Sequence, residues 1–227
     1  MNLTGVKLAA AVLLLAFSGT VSHAEGPTPD APKPEAPKPD APKAAPKEPV
    51  VDPFVQRVFA APIGLDRTTY ACFTRAYDPA HLAEHPQQKV SAMKLLLTAK
   101  KYPEDNEMNY TFRLGVKYRS KSASYQSAGD CGHAQFTDEK TNEATLGCGV
   151  DCDGGGIGVT LANADKAVIV KLERINVWRA GRDQEPDNAE ALLGGVDDKA
   201  FRLDRTSLSD CESLADDRKE VAAMRRK

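Results

Sequence analysis

Large apolar residues occupy every second position from Tyr110 to Tyr118, and polar or small residues lie between them. Successive side chains of a β-strand point to opposite faces of a sheet, so this period of two predicts one face in a core and one in water. Alternation or aromatic and β-branched content predicts five more strands, at 69–77, 90–98, 156–162, 168–177 and 201–203. In 168–177 the apolar positions change parity near Glu173 and Arg174, which predicts a β-bulge there.

Helix signals are few. Asp78 is a good N-cap and Pro79 suits the first helical position, which predicts a short helix from Pro79 to about Glu84. Ser209 and Glu212 have the spacing of a capping box, which predicts a second helix that starts at Ser209. Many strands with little helix predict an all-β fold, an antiparallel sandwich or small barrel with short helices.

The first 24 residues have the features of a secretory signal peptide. Lys7 precedes an apolar run of ten residues, and Ala24 ends a stretch of small residues that suits cleavage before Glu25. The run is shorter than the roughly 20 residues of a membrane-spanning helix. We therefore expect a periplasmic or secreted protein that is not inserted in the membrane after cleavage.

A proline-rich segment fills residues 25–50, where a unit of the form acid-Ala-Pro-Lys-Pro recurs from Asp30. Proline at this density excludes helix and sheet and favours an extended linker. The sequence predicts that this linker is disordered or acts as a spacer or a contact to the cell wall. Residues 51–227 are long enough for one domain with its own core.

Charge and motif content restrict the function classes. Loss of Lys7 with the signal peptide leaves 29 basic and 32 acidic residues, which is not the balance of a nucleic-acid-binding protein. No motif implies a cofactor. An unknown small molecule or an envelope protein remains as the expected partner.

Five cysteines in an exported chain predict disulfides. Cys148 and Cys152 on one strand would lie about 13 Å apart, too far for a bond. A hairpin loop at 137–142 places Cys131 opposite Cys148, so these two form one predicted bridge. Cys152 could pair with Cys72 or Cys211; the prediction favours Cys211 and leaves Cys72 as a buried free thiol.

The string from His81 to His85 matches the H-x-x-E-H pattern of a class of zinc hydrolases. In that interpretation His81 and His85 bind the metal and Glu84 is the catalytic base. Pro86 follows directly and disfavours helical geometry at His85. A small zinc-dependent hydrolase is thus the alternative hypothesis, and a capped turn with surface or hydrogen-bonded histidines is the favoured interpretation.

Asp151 and Asp153 begin a stretch with the first acidic positions of a calcium loop, but Ala162 occupies the place of the closing carboxylate. A hairpin with Gly154 and Gly155 as a two-residue turn explains the stretch better, since it pairs apolar residues on one face. The two aspartates then share the outer face beside glycines that leave it open, where weak metal or polyol binding is conceivable.

Two segments, 77–90 and Cys148 to Gly156, resemble parts of uncharacterised exported proteins of alphaproteobacteria. The resemblance implies residence in the periplasm and carries no activity and no functional residues. Taken with the composition, it leads to the expectation of an exported cell-envelope protein that is a non-catalytic binding or interaction module.

Overall fold

Nine antiparallel strands are the main elements of the computed structural model, which describes residues 51–102, 107–132, 144–151, 153–182 and 185–226. They are β1 Thr69–Ala76, β2 Val90–Lys101, β3 Met108–Tyr118, β4 Ser124–Gly132, β5 Leu146–Gly149, β6 Gly155–Ala162, β7 Ala167–Arg179, β8 Glu190–Leu193 and β9 Ala200–Arg205. The helices are α1 Pro53–Phe59, α2 Pro79–Glu84 and α3 Arg218–Met224, with 3₁₀ turns at Pro186–Asn188 and Leu208–Leu214. The expected signal peptide, the linker and Cys152 lie outside the described residues.

The strand pairings close into a ring. Neighbours in sequence pair from β1 to β7, and β9 lies between β7 and β1. The short β8 pairs with the second half of β7. The all-β prediction is therefore confirmed, and of its two forms the closed, barrel-like sheet is the one that these pairings produce.

All six predicted strands are present, and β2 runs three residues beyond its predicted end. The bulge is present as well. Gly156 pairs with Arg174 and Ile157 with Leu172, so Glu173 is the extra residue on β7. This one residue returns Ile175 and Val177 to the core, which explains the change of parity in the sequence.

The core lies inside the ring, where the alternating apolar residues meet. Leu95, Phe112, Leu114 and Phe201 are among its fully buried side chains. Helix α1 packs against one end of this core and buries Val55, Val58 and Phe59 there.

Helix α1 is not among the elements predicted from the sequence, although its start repeats the signature that predicts α2. Asp52 is the N-cap, and its carboxylate accepts hydrogen bonds from the backbone N–H groups of Phe54 and Val55. Pro53 occupies the first helical position. The Asp-Pro pair at Asp78 was recognised as a helix start, so the same pair at Asp52 was the available signal.

The predicted helix start at Ser209 is wrong. Residues Leu208–Leu214 form a 3₁₀ turn, and α3 begins at Arg218. The N-cap of α3 is Asp217, whose Oδ1 accepts from the Glu220 backbone N–H at 2.8 Å, while Glu220 Oε2 accepts from the Asp216 N–H. These two hydrogen bonds satisfy backbone N–H groups at the start of α3. The Ser209 hydroxyl, by contrast, donates to the Ser207 hydroxyl.

The C-terminal segment covers the outer face of β1, β2 and β3. Leu214 and Met224 pack there against Leu96 in a second, smaller apolar cluster. No helix in the described parts of the chain is long and apolar enough to cross a membrane.

Candidate binding surface

Two disulfides fix the sheet. Cys131 and Cys148 are direct cross-strand partners on β4 and β5 and are bonded, as the hairpin symmetry predicts. The second bridge joins Cys72 to Cys211. The expectation of a free thiol at Cys72 and of a Cys152–Cys211 bond is therefore wrong.

The physical reason is the direction of the Cys72 side chain. Ala71 and Phe73 on either side of it point into the core, so Cys72 points outward from β1. It is nonetheless buried, because the C-terminal segment lies over that face and brings Cys211 to it. This long-range contact cannot be read from the local pattern around either cysteine.

The predicted hairpin at residues 147–158 is present with a longer loop. Cys148 faces Ile157 and Leu146 faces Val159, and residues 150–154 connect the strands. The Val150 N–H donates to the Gly155 carbonyl at 2.9 Å and closes the loop. The two-residue turn at Gly154 and Gly155 is thus wrong, although Cys148, Ile157 and Val159 face the core as predicted.

Asp151 and Asp153 consequently lie in the loop and not on the outer face of the strands. Both are exposed, and Asp153 has a φ of 60° in the left-handed region. The Asp153 carbonyl accepts a hydrogen bond from Arg174 Nη1 at 2.9 Å. No group of three metal-binding side chains occurs among the described residues, the two aspartates included.

The outward positions of the hairpin are glycines, and they form a floor without side chains. Gly132, Gly147 and Gly158 are cross-strand neighbours on β4, β5 and β6, and Gly149 pairs with Gly156 in the adjacent row. With strands about 4.8 Å apart and alternate residues nearly 7 Å apart, the floor measures roughly 10 by 7 Å. The sequence shows this floor only in part, as the pairs of glycines around Cys148 and Ile157.

Two of these glycines are not required by the backbone. A Cβ built on Gly132 would have no atom of the described residues within 4 Å, and one on Gly149 would have only the Gly155 oxygen, at 3.9 Å. Neither has a positive φ. At Gly156, by contrast, a Cβ would lie 2.3 Å from the Cys148 oxygen, so glycine is needed at the bulge. Gly132 and Gly149 thus leave space that a side chain could fill.

This floor is the base of a groove of about 1360 Å³ on the outside of the ring. Lys171 and Arg174 follow Gly158 and Gly156 on the next strand, β7, and Lys199 lies beside them. With Glu173 they give three positive charges and one negative charge along one wall. Hereafter we call this feature the glycine groove.

A second cleft, of about 480 Å³, lies on the outer face of β1 to β4 under the start of α3. Tyr70, Thr98, Thr111 and Asp130 form one row across its floor. The hydroxyl oxygens of Thr98 and Thr111 lie 2.6 Å apart and share a hydrogen bond. Burial raises the pKa of Tyr70, and the carboxylate of Glu220 raises it further, so the phenol stays protonated at neutral pH. Hereafter we call this feature the hydroxyl cleft.

Arg113 fixes the roof of the hydroxyl cleft. Its Nη1 donates to Glu220 Oε2 at 2.7 Å and to the Leu214 carbonyl at 3.3 Å, and its Nη2 donates to Asp216 Oδ2 at 2.5 Å. Two carboxylates therefore pair with this one guanidinium, which leaves the cluster with a net negative charge and anchors the segment that leads into α3.

The histidines do not form the arrangement of the zinc hypothesis. Helix α2 ends at Glu84, so His85 has left helical geometry. The His81 and His85 rings pack with centroids 4.4 Å apart, and His81 Nε2 lies 3.0 Å from Gln88 Oε1. Glu84 is exposed. The string is a capped turn, and its side chains belong to no group of three metal-binding residues in the described part of the chain.

A buried carboxylate that no sequence pattern indicates lies beside this turn. Asp198 is fully buried and accepts hydrogen bonds from the backbone N–H groups of Lys89 at 2.8 Å and Val90 at 3.4 Å. It thereby ties the connection between β8 and β9 to the start of β2. All its neighbours in these contacts are backbone groups, so we assign it a structural role.

The chain matches no protein-family model, no curated protein and no solved structure. The resemblance to exported alphaproteobacterial proteins therefore stays a prediction.

Proposed function

We propose that the protein is an exported cell-envelope binding module without catalytic activity, and that the glycine groove is its binding surface. The observation that carries the proposal is the floor at Gly132 and Gly149, where neither a positive φ nor a close contact with the described residues requires glycine. Glycine inside a strand weakens the strand and is typical of places where a ligand approaches the backbone. The two disulfides agree with an oxidising compartment.

The lining of the groove indicates which ligand it accepts. A floor of backbone atoms is flat and favours a flat face, such as a ring. Arg174 and Lys199 outnumber Glu173 on the adjoining wall, so they favour a negatively charged ligand. We therefore expect the groove to bind a flat anion. The zinc-hydrolase alternative gains no support from the packing of His81 and His85.

The test is a change of Gly149 to leucine, with the flat aromatic anion ANS (8-anilinonaphthalene-1-sulfonate) as the probe. The new side chain enters open space, so the fold is expected to survive. We expect saturable ANS fluorescence with the native chain and a loss of affinity of about tenfold, or 1.4 kcal/mol, in Gly149→Leu. Titration by fluorescence measures both.

Ala76→Leu is the matched control, because Ala76 is exposed on β1, on the other side of the ring. This variant is expected to bind ANS as the native chain does. Equal affinity in Gly149→Leu and Ala76→Leu, or no saturable binding by the native chain, would contradict the proposal.

A further inference from the structure

The C-terminal segment, residues 207–226, lies on the outside of the ring without joining the sheet. Within the described residues, its backbone-to-backbone hydrogen bonds all stay inside the segment. The strands reach it through side chains. Lys94 Nζ donates to the Asp210 carbonyl at 2.5 Å, and Gln126 Nε2 donates to the Ser213 carbonyl at 3.3 Å. Its 3₁₀ turn and α3 have seven residues each, too few for stable helices on their own, so the segment depends on its contacts with the ring.

The apolar contacts of this segment form a cluster that is separate from the core of the ring. Cys211, Leu214 and Met224 pack with Cys72 and Leu96 on the outer face, whereas the main core lies inside the ring. Leu96 is fully buried although its neighbours on β2 point inward, so it is the C-terminal segment that covers it. The segment can therefore leave the ring without opening the main core.

Gly115 on β3 makes room for this cluster. A Cβ on Gly115 would lie 2.9 Å from Leu214 Cδ2, and Gly115 has no positive φ. The backbone therefore does not require glycine at this position, whereas the packing of Leu214 does. A larger side chain here would displace Leu214 and weaken the closed arrangement.

One disulfide, Cys72–Cys211, links the C-terminal segment to the ring. We propose that this bridge is a redox switch, and that its reduction by a dithiol releases the C-terminal segment from β1, β2 and β3. One thiolate of the reductant attacks a sulfur of the bridge and displaces the other cysteine. The second thiol of the reductant then breaks the mixed disulfide. Two electrons pass to the bridge, Cys72 and Cys211 each end as a thiol, and the reductant ends as a disulfide.

The burial of the bridge sets the order of events. Cys72 is 1% exposed and Cys211 is 0% exposed, so the reductant reaches the sulfur atoms only when the segment lifts transiently. Such local opening breaks no strand pairing. While the bridge is intact, it returns Cys211 to β1 after each opening. Once the bridge is reduced, the entropy of the released chain opposes that return.

The second bridge has a different effect. Cys131 and Cys148 join neighbouring strands, and these strands also pair with β3 and β6. Both strands therefore stay in the sheet when this bridge is reduced. A conformational response to a dithiol is specific to the Cys72–Cys211 bridge.

Release of the segment changes the outer face of the ring. The carboxylates of Asp216, Asp217 and Glu220 leave the hydroxyl cleft, and Leu96 becomes exposed. Reduction thus converts a covered cleft into an open face of the sheet. This face is distinct from the glycine groove, so the redox switch does not depend on the proposed function.

Hydrogen–deuterium exchange of the full chain at neutral pH, read by mass spectrometry, measures the release. With dithiothreitol as the dithiol, we expect the amides of residues 207–226 to exchange at least about tenfold faster than in the oxidised chain. The amides of β1, β2 and β3 are expected to change by less than about twofold, because the ring stays closed. Differential alkylation of the same samples shows which bridge is reduced.

Two double variants separate the effects of the two bridges. Without any dithiol, Cys72→Ala/Cys211→Ala is expected to show the fast exchange of the reduced chain in residues 207–226. Cys131→Ala/Cys148→Ala is the control and, without a dithiol, is expected to keep the slow exchange of the oxidised native chain there.

A third variant tests the closed arrangement with both bridges present. Gly115→Leu fills the space that Leu214 occupies, so we expect dithiothreitol to reduce Cys72–Cys211 at least about tenfold faster than in the native chain. Gly149→Leu is the matched control, since it also replaces a strand glycine but its side chain enters open space. It is expected to match the native rate.

Slow exchange of residues 207–226 in Cys72→Ala/Cys211→Ala would overturn the proposal, because the segment would then stay closed without its bridge. Equally accelerated exchange in β1, β2 and β3 would also overturn it, since the bridge would then hold the whole ring. A Cys72–Cys211 bridge that stays oxidised in excess dithiothreitol would show a purely structural bond. Equal reduction rates in Gly115→Leu and Gly149→Leu would contradict the local opening on which the switch depends.

Discussion

Arg205 holds the N-terminal helix onto the ring through backbone carbonyl groups. Its guanidinium donates to the carbonyl oxygens of Val58 at 2.9 Å, Arg57 at 3.2 Å and Asp165 at 3.0 and 3.1 Å, and it lies 4.5 Å from the Phe73 ring centroid. Burial lowers the pKa of Arg205, but a guanidinium stays charged at neutral pH. Its hydrogen bonds therefore carry the strength of a charged donor.

We predict that Arg205→Met lowers the free energy of unfolding by about 3 kcal/mol, because charged hydrogen bonds contribute roughly 1.5 to 3 kcal/mol each and several are lost together. Arg202→Met, on the same strand, is the control. Arg202 is half exposed and contacts Asp204 at the surface, so its loss is expected to cost less than about 0.5 kcal/mol. Urea unfolding at pH 7 measures both, and similar costs for the two variants would contradict the role given to Arg205.

At the scale of elements, the Cys72–Cys211 bridge attaches the C-terminal segment to β1. The bridge closes a loop across 139 positions of sequence, whereas Cys131 and Cys148 are 17 positions apart. Both bridges are buried. In the chain-entropy description, a disulfide stabilises the fold by restricting the unfolded chain, and a longer loop restricts it more.

We predict that Cys72→Ala/Cys211→Ala destabilises the protein more than Cys131→Ala/Cys148→Ala. The entropy term amounts to about 5 kcal/mol for the longer loop and about 3 kcal/mol for the shorter one. Urea unfolding of the two double variants measures the difference. A smaller loss for the Cys72 and Cys211 pair would show that the C-terminal segment is held mainly by its other contacts.

The sequence predicts an element well when neighbouring residues alone determine that element. Alternation locates the strands and the bulge at Glu173, because side-chain direction is a property of each strand alone. It does not locate the turn between β5 and β6, since the loop includes Asp153 at a positive φ, which alternation does not detect. The partner of Cys72 depends on where a segment some 139 positions away folds back, and no local pattern contains that.

At the scale of the whole molecule, ring closure depends on β7. Its first half pairs with β6 and β9, and its second half pairs with β8 and with β4. The sequence predicts this strand and its bulge, but it does not show that four partners share it. For that reason the sequence alone does not distinguish a sandwich from a barrel. The glycine floor is hidden for the same reason, since its residues become neighbours only when the strands pair.

Export belongs to the whole chain as well. We predict that expression of the full chain in a bacterium with a periplasm yields a protein that begins at Glu25, with Cys72, Cys131, Cys148 and Cys211 oxidised in the two pairs described. Mass spectrometry of the purified protein, before and after alkylation, measures both features. A chain that retains Met1, with reduced cysteines, would contradict export.

Closure of the ring also bears on how the protein behaves at high concentration. Unpaired strand edges are templates on which other chains can add strands, and they are a common start of aggregation. Within the described residues, β8 is the strand that is paired on one side alone, and it spans only Glu190–Leu193, three of whose four residues are exposed. So short an edge offers a second molecule few backbone groups to extend. The fold thereby permits an outer sheet face without side chains, as at the glycine groove. The backbone groups of that face are already paired across the strands, so they do not offer a second molecule a template for association.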